Sequence, residues 1–195
     1  MKAYYHARAR EYDDWWLQRG LYGPRTSRAW QAERDQAFAA IRTLTPRRTL
    51  DVACGTGFVT RLLPGEVTGL DQSDAMLEVA REQAPDATFV QGDGVELPFE
   101  GGSFERVFTS HFYGHLEEGD RERFLTEARR VAQELVVFDA ALHGGEPRFE
   151  WQERVLNYGT RWTVYKRFFP AEGLLTELGG GTILHEGRWF VLVGA

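Results

Sequence analysis

Two glycines and two acids carry the clearest chemistry in this chain. Leu50-Asp51-Val52-Ala53-Cys54-Gly55-Thr56-Gly57 is a short apolar run ending in a Gly-x-Gly turn, and Gly69-Leu70-Asp71 closes a second apolar run with an acid. That pairing wraps a nucleoside-containing ligand around the carboxyl ends of two adjacent parallel strands. Without side chains, Gly55 and Gly57 let the backbone approach the ligand. Asp71, at the tip of the next strand, is placed to accept hydrogen bonds from both ribose hydroxyls. The competing reading is a purely structural turn, and the acids at the ends of both strands weigh against it. Asp71 as a mere helix cap is disfavoured because Ser73 already fills that place. Which nucleoside is bound stays open at this point.

A third acid lies in Gln91-Gly92-Asp93-Gly94, which suits ligand contact and ordinary turn chemistry alike. His111 and His115 flank Phe112-Tyr113-Gly114 just past another apolar run. Each is a candidate base near neutral pH and equally a candidate packed side chain. Cys54 invites a nucleophile reading, but a small residue in a packed turn explains it better, and the chain has no second cysteine to pair with it. Glu117, Glu118 and Asp120 read as the solvated acidic entrance of a helix. No cluster has metal-ligand spacing, so no metal is expected.

The elements that must position these residues alternate. Strands are predicted at Thr49–Ala53, Val67–Asp71, Thr88–Gln91, Arg106–Ser110 and Leu135–Asp139, apolar on both faces as strands between helix layers must be. Ser73 is predicted to cap a helix over Asp74–Gln83, and Asp120 one over Arg121–Val131. This rhythm predicts a doubly wound α/β sheet, mostly parallel, with right-handed crossovers. Residues 3 to 45 read as helical, with Ser27 capping a helix that carries Trp30, Ala37, Phe38 and Ile41, preceded by an aromatic segment closed by a Gly20 to Pro24 turn. Residues 141 to 170 are aromatic and poorly periodic. Ala171–Leu178 reads as a short helix, and Thr182–His185 and Trp189–Val193 as an antiparallel hairpin.

Bulk properties narrow the function. At 195 residues the chain fits one domain. A net charge of -6 argues against a nucleic-acid partner. One cysteine, no apolar run of membrane-span length and no apolar core near Met1 predict a cytoplasmic protein without a signal peptide or membrane span.

In order and at the right spacing, Leu50–Gly57, then Gly69-Leu70-Asp71 with Gln72-Ser73-Asp74-Ala75-Met76-Leu77, then Gln91-Gly92-Asp93-Gly94 with Leu97-Pro98-Phe99, resemble the class I S-adenosylmethionine-dependent methyltransferases, most of all their small-molecule, ubiquinone-biosynthesis branch. The resemblance spans residues 46 to 140, with the closing hairpin. It implies a seven-stranded, mostly parallel Rossmann-like methyltransferase fold with an N-terminal helical lid. The division it implies is 1–45 lid, 46–140 cofactor core and 141–195 acceptor-side segment within one domain, 1–195. It implies that Asp51 and the turn Ala53, Gly55, Thr56 and Gly57 hold the methionine part of the cofactor, aided by a helix N-terminus after Gly57. Asp71 would take the ribose, Gln72 and Met76 the adenine side, Asp93 the adenine amino group, and Gly94 and Val95 the ring. Ser110 and His111 would line the methyl-transfer face, with His111, His115 and Tyr5 as candidate catalytic groups. S-adenosyl-L-homocysteine would be the product.

The aromatic segments (Tyr4, Tyr5, Tyr12, Trp15, Trp16 and Phe149, Trp151, Tyr158, Trp162, Tyr165, Phe168) are either core or the wall of a pocket for a partly apolar or aromatic acceptor. A nicotinamide-dependent oxidoreductase is the first alternative. It is disfavoured by Thr60 at the third position of G-x-G-x-x-G and by the closing hairpin. A non-catalytic cofactor-binding partner protein is the second. The acceptor and the oligomeric state stay open.

Overall fold

The computed structural model describes residues 2–21, 27–145 and 147–195. It begins with helices α1 (Lys2–Arg8), α2 (Asp14–Leu17) and α3 (Arg28–Arg42). There follow β1 (Thr49–Val52), β2 (Val67–Asp71), α4 (Asp74–Gln83), β3 (Thr88–Gln91), β4 (Arg106–Ser110), α5 (Glu118–Val131) and β5 (Glu134–Ala140). The chain continues through β6 (Phe149–Val155), β7 (Arg161–Arg167), α6 (Ala171–Glu177), β8 (Thr182–Glu186) and β9 (Phe190–Gly194).

The main sheet has seven strands in the order β3-β2-β1-β4-β5-β9-β8. The first five are parallel, and β9 runs antiparallel to both β5 and β8. This is the doubly wound, Rossmann-like sheet with its closing hairpin that the sequence predicts. Strand order reverses between β1 and β4, and ligands of such sheets sit outside the carboxyl ends of the strands at that point.

Alternating strand residues feed two cores. Leu50, Val52, Leu70, Val107 and Val137 pack with Phe124 and Ala128 of α5 and Leu174 of α6. Phe108, Val136, Phe138 and Leu192 pack on the other face with Trp16 of α2 and Trp30, Phe38 and Ile41 of α3. Ser27 caps α3 by accepting from Trp30 N, and Ser73 caps α4 by accepting from Met76 N, as their positions before apolar-periodic runs require.

Four expectations need correction. α5 starts at Glu118 with Glu117 in the capping position, so Asp120 lies inside the first turn and pairs with Arg123 instead of capping. No α-helix follows Gly57; a short 3-10 turn at Thr60–Leu62 stands there, because Leu63-Pro64 ends any helix almost as it begins. The lead-in to α3 is not one helix: a 3-10 turn at Ala9–Glu11 follows α1, and Gln18 closes α2 with a left-handed φ of 57°. The 141–170 stretch contains an antiparallel hairpin, β6–β7, paired from Phe149↔Arg167 to Val155↔Arg161. Its long charged side chains hid the period-2 pattern. The Gly20 to Pro24 turn lies in part outside the described residues.

One side chain ties α3 to the closing hairpin. Glu33 Oε2 accepts from Arg188 N at 2.9 Å, and Oε1 accepts from Trp189 N at 2.7 Å and Phe190 N at 3.0 Å. A Cβ on Gly187 would collide with the Glu33 carboxylate, so a side chain there would displace Glu33 from these N–H groups. Glu33→Ala strands those N–H groups and is expected to cost about 2 kcal/mol of unfolding free energy, with Glu33→Gln costing less. Urea denaturation checks this; an unchanged midpoint for Glu33→Ala would contradict it.

Candidate active site

Two non-glycine residues at the carboxyl ends of β1 and β4, Ala53 (φ 58°) and His111 (φ 52°), sit in the left-handed region. Such conformations cost on the order of 1–2 kcal/mol each and persist where surrounding structure holds them. Between them opens a cavity of about 410 Å³. Its wall includes Ala53, Gly55, Asp71, Gln72, Met76, Asp93, Gly94, Val95, Ser110, His111, His115 and Tyr5. Asp51, Thr56 and Gly57 lie behind that wall. Thr56 is fully buried and donates to Asp13 Oδ1 at 2.5 Å, while Asp13 Oδ2 accepts from Gln83 of α4. The N-terminal segment is thereby pinned over the turn. Gly57 (φ 74°) lets the turn pack on α4, where an added Cβ would be 3.2 Å from Ala80 Cα.

Asp71 is the centre of the turn. Its Oδ2 accepts from Gly55 N at 3.0 Å and its Oδ1 from Ser73 N at 2.9 Å. A carboxylate offers about four lone-pair sites, so Asp71, which lines the cavity, keeps acceptor capacity beyond these two bonds. Burial raises its pKa, opposed by hydrogen bonds from Ser73, Gly55 and Gln72. Asp93 Oδ1 accepts from Val95 N at 3.1 Å and shapes the next turn. Gly94 has no space for a methyl group: a Cβ would be 2.8 Å from Phe112 and 2.9 Å from Val52.

Asp51 is buried, with Oδ2 accepting from the Thr60 hydroxyl at 2.6 Å and Oδ1 lacking a hydrogen-bond partner among the described residues. Burial pushes its carboxyl up to about 7, with the nearby Asp71 charge adding to the rise against the Thr60 hydrogen bond. An acid whose folded pKa exceeds its unfolded value of about 4 loses stability for the fold as pH climbs between the two, and its contribution is flat above. Between pH 5 and pH 8 the wild type is therefore expected to lose about 2 kcal/mol more than Asp51→Asn. Parallel urea titrations at the two pH values test this, and equal losses would contradict it.

The two histidines are both neutral at physiological pH. His111 is caged by Trp15, Trp16, Phe138 and Phe190, and burial, helped by the Lys166 charge, lowers its pKa to about 3. Its Nδ1 is 3.6 Å from Asp139 Oδ1 and its Nε2 has no hydrogen-bond partner among the described residues. His115 Nδ1 is 2.6 Å from the Tyr165 carbonyl, which can only accept, so Nδ1 carries the hydrogen and Nε2 is left as the ring's acceptor. Burial and the Lys166 and Arg154 charges hold its pKa well below 6.5. Tyr5 packs edge-on against His115, and burial pushes its phenol pKa up; that of Tyr12 rises to about 12, also chiefly by burial. Burial likewise drives the Cys54 thiol pKa well up, which supports its structural reading.

A second cavity, of about 1130 Å³, adjoins the first and shares Tyr5, Tyr12, His111, His115 and Trp151 with it. Its wall adds Arg8, Arg154 and Lys166. Lys166 is buried against Asp139, Nζ to Oδ1 at 2.5 Å. None of Arg8, Asp139, Arg154 and Lys166 was singled out from the sequence. Asp139 did carry a signal, since it ends an apolar strand as Asp71 does. Among the described residues no His/Cys/Asp/Glu group is arranged to hold a metal ion, and no helix is long and apolar enough to cross a membrane.

Residues 50–136 match a family model described as a methyltransferase domain. Over 103 residues the chain is 40% identical to a demethylmenaquinone methyltransferase of Thermotoga maritima, a match covering 50% of this chain and 44% of that protein. The chain thus spans less than half the length of this curated relative. The solved DhpI–SAM–HEP complex superposes with a TM-score of 0.74 at 26% identity, covering 98% of this chain and 94% of that one. The glycopeptide N-methyltransferase MtfA, at 19% identity, TM-score 0.60 and 87% and 90% coverage, shares the fold.

Proposed function

We propose that the protein transfers the methyl group of S-adenosylmethionine to a small-molecule acceptor. The observation that carries this reading is Asp71, a buried carboxylate held by Gly55 N and Ser73 N in the wall of a cavity made by the strained ends of β1 and β4. The residues fit the cofactor: Asp71 suits its ribose diol, and the buried Oδ1 of Asp51, lacking a donor among the described residues, suits the polar methionine end behind the Gly55–Gly57 turn. Asp93, with Gly94 and Val95, suits the adenine, beside Gln72 and Met76. When bound, the cofactor supplies an already activated methyl group, so the protein's task is alignment and exclusion of water, for which positioning contributes about 7–11 kcal/mol. Tyr12 lies over Gly55 and Tyr5 lines the same cavity, Ser110 and His111 border the reacting face, and His115 Nε2 is the acceptor for a proton should the nucleophile carry one.

Residues 46–140 would serve as the cofactor core, and 1–45 with 141–195 as the acceptor walls of one domain. The aromatic lining supports a partly apolar or aromatic acceptor, and the net charge of -6 supports a small molecule over nucleic acid. The single cysteine supports a cytoplasmic setting. Calorimetric titration with S-adenosylhomocysteine and with NADH tests the reading. Binding of the former alone supports it; binding of NADH alone would favour an oxidoreductase. Binding of the former without methyl transfer to any component of a metabolite extract would favour a non-catalytic binding protein.

A further inference from the structure

The two adjoining cavities differ in charge. The cofactor-side wall is acidic, with Asp71, Asp93, Glu117 and Asp120, where Asp120 pairs with Arg123. The second cavity carries Arg154, Lys166, Arg8 and the exposed Arg188, against Glu150 and Glu153. Most of these charges already have company. Lys166 pairs with Asp139, Glu153 with Arg161, and Arg8 donates to Tyr4 and lies over the Tyr12 ring.

Arg154 differs. Among the described residues its one hydrogen-bond partner is the Gln152 side-chain oxygen, at 2.8 Å from Nη2 and 3.3 Å from Nε, and no carboxylate pairs with it. Gln152 in turn donates to Glu150, so that acid is engaged one step away along the strand. Glu150, Gln152 and Arg154 alternate on the less exposed face of β6, and all line the cavity. A half-buried guanidinium facing a cavity with donors to spare is a planar, permanently charged fork that matches an oxyanion.

We propose that the acceptor carries an oxyanion, a carboxylate or phosphoryl group, and that Arg154 is the specificity-determining residue that binds it. The inference rests on the methyltransferase reading, since it assigns the second cavity to the acceptor. The aromatic walls contributed by Tyr5, Tyr12 and Trp151 would hold the remainder of the molecule. The charges of Arg154 and Lys166, which add to burial in keeping His111 and His115 uncharged, would also draw an anion in.

The test is calorimetry on the protein loaded with S-adenosylhomocysteine, using benzoate and phenyl phosphate as anionic probes and benzamide and benzyl alcohol as neutral ones. At least one anion is expected to bind about tenfold more tightly than the neutral probes, and which one separates carboxylate from phosphoryl recognition. Arg154→Gln is expected to weaken that anion about tenfold while leaving homocysteine-product affinity unchanged, with Arg154→Lys recovering part of the loss. Equal binding of anions and neutral probes, no anion binding at millimolar concentration, or anion affinity unchanged in Arg154→Gln would each overturn the inference alone. Failure of S-adenosylhomocysteine itself to bind would overturn the methyltransferase reading and this inference with it.

Discussion

Asp71→Ala is expected to lower affinity for S-adenosylhomocysteine about a hundredfold or more. Two hydrogen bonds from a ribose diol to a buried carboxylate are worth about 1.5–3 kcal/mol each, and each 1.4 kcal/mol is a factor of ten. The same substitution frees Gly55 N and Ser73 N, whose bonds to Asp71 fix the turn against the start of α4. The binding surface therefore loses both its acceptor and its shape. Asp71→Asn separates the two effects, because one amide oxygen still accepts while the charge and half of the acceptor capacity are gone. Its affinity is expected to fall between those of wild type and Asp71→Ala. Calorimetry on folded variants decides the matter: an Asp71→Ala affinity within threefold of wild type would mean that the diol is held elsewhere.

How far the sequence foretold this site depends on where each residue lies along the chain. Asp71 and Ser73 were legible because strand end, acid and helix cap are local patterns, and their bonds confirm the local geometry. The parallel sheet was legible from apolar runs such as Val67–Leu70, which only a doubly covered sheet accommodates. Arg154 and Lys166 were not, because these charged residues lie on the inner face of β6 and β7: Gln152 and Arg154 are less exposed than Trp151 and Glu153, and Lys166 is buried. A strand whose polar face looks into a cavity gives no hydrophobic alternation to read. The pairing of Asp139 with Lys166 joins β5 to β7 across the main sheet and the separate hairpin, a contact no local pattern encodes. Asp51, Thr56 and Gly57 show the converse. Their motif was recognised, yet they shape the turn from behind, through Thr60, Asp13 and Ala80.

Asp139→Ala is expected to be the most destabilising single change, at about 3–5 kcal/mol, because it leaves an uncompensated buried ammonium at Lys166. Asp139 is fully buried and accepts from Gly114 N at 2.8 Å and Ala140 N at 2.7 Å as well as from Lys166. The packing is too tight to relax: a Cβ on Gly114 would lie 2.9 Å from both Asp139 Oδ1 and Lys166 Nζ. Adding Lys166→Met removes the stranded charge, and the double variant is expected to recover most of the loss. About 1–2 kcal/mol would persist for the two backbone N–H groups left without an acceptor. Acid titration separates charge from packing. Burial alone would raise the Asp139 pKa, but the Lys166 and His111 neighbours and its hydrogen bonds carry it below the usual carboxylate value. Its stabilising contribution is therefore complete above an unfolded pKa of about 3.9 and is lost as pH falls below that through the folded value. Wild type should show this acid limb and the double variant should lack it. If the double variant is as unstable as Asp139→Ala, the loss comes from the Gly114 and Ala140 hydrogen bonds and the cavity left behind, and the ion pair contributes nothing separable.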